Sequence, residues 1–228
     1  MNGPITVSRW FLSALVALMT IVIFPDGRAA ASVVNFDDID ASAGDVILDS
    51  LSPYQGFDWA NFSVYTSTPG FTGFNNGIVS SPNAAYTSGD SLGSPIISTI
   101  SSTSAFDFVS AYVGAGWYDG LDVTVEGFDG AAEDFSKTVT VNTSGAQLFS
   151  FNFDGIDELK IFSTVTGTTT DAYGCGASGC SQVTLDDLTF TPSSGPPPPA
   201  VPEPSMAGIA GLGFLALAAF RHARARRS

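Results

Sequence analysis

Positive charge is almost missing from the long middle of this chain. Between Ser32 and Thr191 the only cations are Lys137 and Lys160, and there is no arginine and no histidine. The single histidine, His222, sits close to the C-terminus. A histidine-based triad and a zinc–histidine site are therefore excluded from the body. The same stretch holds 20 of the 22 carboxylates, a formal charge of −18 against −14 for the whole chain. Such a body repels nucleic acid and anionic lipid headgroups and attracts divalent cations. Glycosidase chemistry needs only a facing carboxylate pair. With 20 acids such a pair arises by chance, so composition argues nothing for an enzyme.

Cysteine is scarce as well. Cys175 and Cys180 are the only two, separated by Gly-Ala-Ser-Gly. Two sulfurs without histidine fall short of the four ligands of a structural zinc site. The expected state in an oxidising compartment is a disulfide, contributing about 2 kcal/mol by closing a short loop; two free thiols are the alternative.

Long apolar runs are absent from the body and confined to the ends. At the front, Arg9 precedes an apolar stretch from Trp10 to Phe24, which Pro25-Asp26-Gly27 breaks. Ala29-Ala30-Ala31 fits a small-residue cleavage site, so residues 1–31 read as a signal peptide cut after Ala31, with an uncleaved anchor as the alternative. At the other end, residues 192–201 are proline-rich, including Pro196 to Pro199, and read as an extended spacer at ~3.1 Å per residue. Residues 202–228 follow: Pro202-Glu203-Pro204, an uncharged 15-residue run from Met206 to Phe220, and Arg221, Arg224, Arg226 and Arg227. As a helix that run is about 22 Å long, short of the ~30 Å of a bilayer core. A transmembrane helix of this length is a marginal span, oriented by arginines that stay cytoplasmic.

In order, spacing and C-terminal placement this tail resembles the PEP-CTERM sorting signal of bacterial exported proteins. The resemblance implies passage through the export machinery and a precursor anchored in the inner membrane. It also implies cleavage at Pro202-Glu203-Pro204 by a membrane-embedded cysteine protease, exosortase. The prolines hold that box extended and open to a protease. The destination would be the cell surface or extracellular matrix, with a structural or adhesive role among exopolysaccharides. β-rich bodies of this family generally have no assigned activity, so no enzyme is expected.

The body, residues 32–191, shows strand periodicity. Leu121, Val123 and Val125 alternate with Asp122, Thr124 and Glu126; Phe149, Phe151 and Phe153 alternate with Ser150 and Asn152. Further runs are Phe57–Val64, Phe106–Val113, Val139 with Val141, Leu159 with Ile161, and Val183–Phe190. Between them stand turn residues such as Asn75-Asn76-Gly77, Asp119-Gly120, Asp129-Gly130, Ser144-Gly145 and Asp154-Gly155. Many short strands with one apolar face imply two packed sheets. The expected fold is all-β, a jelly-roll-like antiparallel β-sandwich flanked by an N-terminal signal helix and a C-terminal transmembrane helix. An immunoglobulin-like sandwich is the alternative, although its Cys…Trp…Cys spacing is absent.

Two features of the body suggest sites. The apolar parity flips across Asp37-Asp38 and again across Asp186-Asp187, as at a β-bulge. If the first and last strands are neighbours, the two pairs converge and Ca²⁺ would hold them, by position resembling the calcium site of jelly-roll carbohydrate-binding modules. The plainer reading is four solvated turn aspartates. Second, Trp117 and Tyr118 lie in a glycine-rich segment from Gly114 to Gly120 and could stack on sugar rings of a polysaccharide. Trp59 alternates with Phe57 and Asn61 and is expected in the core.

Overall fold

The computed structural model describes residues 30–88, 96–166, 169–172, 174–175 and 180–193. The signal-peptide features, Ala31 excepted, lie outside these residues, as do most of the spacer, the Pro202-Glu203-Pro204 box, the apolar run and the four terminal arginines. No helix among the described residues is long and apolar enough to cross a membrane.

Twelve strands, one short α-helix and a 3-10 turn over Leu48–Leu51 are the regular elements among the described residues. The strands and the α-helix are β1 (Ser32–Val34), β2 (Val46–Ile47), β3 (Asp58–Ala60), β4 (Phe62–Thr66), α1 (Thr72–Gly77), β5 (Asn83–Thr87), β6 (Ser98–Ala115), β7 (Tyr118–Asp119), β8 (Leu121–Asp129), β9 (Ala132–Val141), β10 (Gln147–Thr164), β11 (Thr170–Asp171) and β12 (Val183–Pro192). Every pairing is antiparallel. The hydrogen-bonded order is β2-β4-β5-β12-β6-β10-β8-β9, with β1 added to β12 and β3 to β6. The result is an all-β antiparallel sandwich.

The alternation of β8 translates directly into burial. Leu121, Val123 and Val125 are enclosed while Asp122, Thr124 and Glu126 face outward. Each enclosed aliphatic side chain contributes roughly 1.5–3 kcal/mol. One continuous core joins them to Phe36, Phe57, Trp59, Phe106, Phe108 and Phe190. Phe57 and Phe190 rings lie 4.4 Å apart by centroid, and Phe57 meets Phe106 edge-on at 5.0 Å. Trp59 is buried and its Nε1–H donates to the Tyr54 carbonyl at 3.0 Å, as its alternation predicted.

Three segments differ from the pattern reading. Asp154-Gly155 is not a turn between strands but lies within β10, a single strand of 18 residues. Gly155, at φ 72°, is absorbed as an irregularity, and its N–H donates to Asp107 at 2.8 Å. Phe57–Val64 is not one strand but two. Asn61, at φ 65°, turns the chain out of β3, which pairs with β6, and into β4, which pairs with β5. Asp49 holds that kink by accepting from the N–H groups of Asn61 and Phe62. Asn75-Asn76-Gly77, expected as a turn, closes α1. In the first two, a residue at positive φ produces a bend whose type depends on distant partners.

Candidate functional site

The first and last strands are neighbours: Val34 of β1 pairs with Leu188 of β12. The register of β12 against β6 slips between Asp186 and Thr189, with Asp187 at φ 46°, so the second parity flip is a bulge. The first is not. Asp37-Asp38 lies in a turn after β1. The four aspartates do not gather into a group able to hold a metal ion. Three of them, Asp37, Asp38 and Asp186, hold the fold through their own partners. Asp37 accepts from the Asn83 N–H and the Asn35 amide, and Asp38 from the Tyr54 hydroxyl and Gln55. Asp186 is fully buried and accepts from the N–H groups of Val79, Ser80 and Asp187 at 2.7–2.8 Å, and from the Ser80 hydroxyl at 3.2 Å. Burial pushes its carboxyl up to about 6, although the three N–H groups pull the other way. Asp186 of β12 thus pins the segment between α1 and β5, and Asp37, in the turn after β1, holds the start of β5. That segment positions the site described next.

Cys175 and Cys180 are joined by a disulfide, with Cα atoms 6.0 Å apart. The cleft opens elsewhere, where α1 crosses the end of β6. Glycines permit the crossing. A Cβ on Gly73 would sit 2.1 Å from the Gly116 carbonyl oxygen, and one on Gly116 would meet the Phe74 ring at 2.6 Å. No other residue lets the helix backbone lie on the strand backbone at this separation. The close approach brings Phe71 and Phe74 against Trp117, with ring centroids 5.7 and 5.6 Å away. Tyr65 of β4 and Tyr86 of β5 complete the aromatic wall, both edge-on to Phe74 at 5.4 and 5.5 Å.

These five rings, with Asp45, Thr66, Thr68, Asn75 and Gln182, line a half-open cavity of about 230 Å³. That volume suits part of a small ligand rather than a whole drug-sized one. Trp117 is half-buried and Phe71 is exposed at the rim. The polar atoms have defined roles. The Tyr65 hydroxyl donates to the Phe74 carbonyl at 2.7 Å and the Tyr86 hydroxyl to Asp45 at 2.8 Å. Burial and nearby carboxylates hold both phenols protonated, Tyr86 at about 12 and Tyr65 higher still. The side-chain oxygen of Gln182 is buried and has no hydrogen-bond partner.

Of the two aromatic residues predicted to form a platform, the structure places one at the cleft. Trp117 lines it; Tyr118 is turned into the core at 7% exposure. Trp117 lies in the bend between β6 and β7, whereas Tyr118 opens β7 and packs into the core. Phe71, Phe74, Tyr65, Tyr86, Asp45 and Gln182 carry no sequence signal that assigns them to a site. They meet only because α1 folds onto β6. The pair of glycines, Gly73 and Gly116, is the trace that close packing left in the sequence, and it is visible only once the two segments are known to touch.

No model of a known protein family matches the chain, and no curated protein matches it. Solved structures with a similar fold include the Stig cyclase FisC from Fischerella sp. TAU, in complex with (3Z)-3-(1-methyl-2-pyrrolidinylidene)-3H-indole. It is 12% identical, with 72% of this chain and 100% of that one covered and a TM-score of 0.46. Others are TmCBM61 in complex with beta-1,4-galactotriose, at 10% identity, 63% and 93% coverage and a TM-score of 0.35, and CBM29_1, a family 29 carbohydrate-binding module from Piromyces equi, at 14%, 72% and 91% with a TM-score of 0.39. The likeness is one of fold alone.

Proposed function

We propose that this chain is an exported protein whose jelly-roll-like body holds a carbohydrate at the cell surface or in the extracellular matrix, an adhesive rather than a catalytic role. The observation that carries the binding reading is the cleft between α1 and β6: five aromatic rings, with Phe71 exposed at the rim and Trp117 half-buried, and the polar side chains of Asp45, Asn75 and Gln182 in the same lining. Sugar rings offer both complements, C–H faces that pack on aromatic surfaces and hydroxyls that hydrogen-bond to polar side chains. Glycan-array binding of the exported protein tests this. Trp117→Ala should reduce binding to the recognised glycan by about tenfold or more, the loss of one stacked ring at ~1.4 kcal/mol. Unchanged binding would place the carbohydrate elsewhere on the body.

The export half of the proposal rests on the two ends of the sequence. Intact mass of the protein recovered from the cells that make it should correspond to a chain beginning at Ser32 and ending near Pro202-Glu203-Pro204, less two protons for the Cys175–Cys180 bond. A mass that retains Arg221 to Ser228 would remove the sorting reading.

A further inference from the structure

Building on that reading of the cleft, we infer that the ligand it takes carries a free, protonated amine: a polysaccharide with de-N-acetylated amino-sugar units. The inference comes from which hydrogen-bonding capacity the lining has left. The Tyr65 hydroxyl donates to the Phe74 carbonyl, Thr66 Oγ1 to the Pro82 carbonyl at 3.1 Å and Thr68 Oγ1 to the Thr66 carbonyl at 3.2 Å. All three hydroxyl protons are committed to backbone oxygens, so these groups can present only lone pairs to a ligand. Asp45 adds a carboxylate, one oxygen of which accepts from the Tyr86 hydroxyl. The donors of the lining are the side-chain amides of Gln182 and Asn75 and the indole N–H of Trp117, and the Asn75 amide already donates to the Thr68 carbonyl. The lining holds one charge, the carboxylate of Asp45, and no cation to oppose it.

A neutral sugar hydroxyl donates one hydrogen and asks for donors in return. An ammonium group brings three donors and asks for none. The rest of the lining suits the same group. Five aromatic rings surround the space, and a cation is attracted to aromatic faces, most strongly to that of tryptophan. The body as a whole, at −18, draws cationic chains towards it and repels acidic ones. Binding an acidic polysaccharide would require a cation in the lining, and the lining has none.

The test compares oligosaccharides of equal length by calorimetry with the exported protein: glucosamine hexamer, its fully N-acetylated form, a glucose hexamer, and tetramethylammonium as a cation without a sugar. The glucosamine oligomer should bind at least tenfold more tightly than either neutral hexamer. Because the body attracts any polycation, the variants decide where it binds. Trp117→Ala leaves the net charge unchanged and should abolish the preference. Asp45→Asn should reduce it about tenfold, while Asp129→Asn, an equal charge change away from the cleft, should not. Equal binding of all three hexamers, lost in Trp117→Ala, overturns the amine assignment and leaves the carbohydrate reading standing. Binding of tetramethylammonium at the cleft with no hexamer bound overturns the carbohydrate reading and keeps the cation site. A glucosamine preference that survives Trp117→Ala overturns the assignment to the cleft.

Discussion

Gly73→Ala should destabilise the body by at least about 2 kcal/mol and remove ligand binding at the cleft. The added methyl would meet the carbonyl oxygen and carbon of Gly116 and the carbonyl oxygen of Ala115, all of them backbone atoms within 2.9 Å. A flexible side chain could swing away; a carbonyl in a strand cannot without losing its pairing. Either α1 lifts from β6 or β6 distorts. Overpacking of this kind costs about 1–3 kcal/mol, and a backbone neighbour puts it at the upper end. For a domain of this size the melting temperature should fall by roughly 5–10 °C. The adjacent Thr72→Ala, at an exposed position, should stay within about 0.5 kcal/mol of the parent. Binding should fall further than stability, because lifting α1 parts Phe71 and Phe74 from Trp117 while the sandwich core persists. A melting temperature for Gly73→Ala equal to that of the parent would show that α1 does not seat on β6 as described.

Asp186→Ala should cost about 4 kcal/mol at pH 4, and less at pH 7. At any pH the substitution leaves the N–H groups of Val79, Ser80 and Asp187 without the buried carboxylate that accepts from them. Each unsatisfied buried donor costs roughly 1–3 kcal/mol. The pH dependence follows from the burial of the carboxyl. Its pKa is about 6 in the folded chain against 3.8 for the free side chain. Between those values the folded state holds a proton that the unfolded state has released. The contribution of Asp186 is therefore fully present below pH 3.8 and is lost as pH rises through 6. The change amounts to at most about 3 kcal/mol. Other carboxylates titrate too, but they cancel when parent and variant are compared at each pH. Denaturant unfolding of both at pH 4, 5, 6 and 7 should show the gap narrowing with rising pH. A constant gap would mean that Asp186 is ionised throughout, its three N–H partners outweighing its burial.

Both predictions concern residues whose importance is only partly visible in the chain as written. Asp186 stood out because the apolar parity flips beside it, and the flip is indeed a bulge. What the carboxylate does there was not legible. Its partners, Val79 and Ser80, lie more than 100 residues away in sequence. Nothing local separates an aspartate that binds an ion from one that caps a distant loop. Nothing local marks Gly73 and Gly116 as a contact either, since they lie in separate segments of the chain.

Alternation and composition determined what depends on neighbours a few residues apart. The strands of β8 and the first half of β10, the placement of Trp59 in the core, the antiparallel all-β class and the strongly acidic surface all follow from side chains pointing alternately to two faces, one dry and one wet. The proposed reading of the ends as export signals rests on local residues also. Tertiary structure decided what depends on which bends are turns and which are bulges. Gly155 and Asn61 both permit a positive φ; only their distant partners, Asp107 for one and Asp49 for the other, settle whether the strand continues or changes layer. The cleft belongs to this second class. Its rings come from β4, α1, β5 and the segment after β6, and they face one space because two glycines let a helix of six residues rest on a strand.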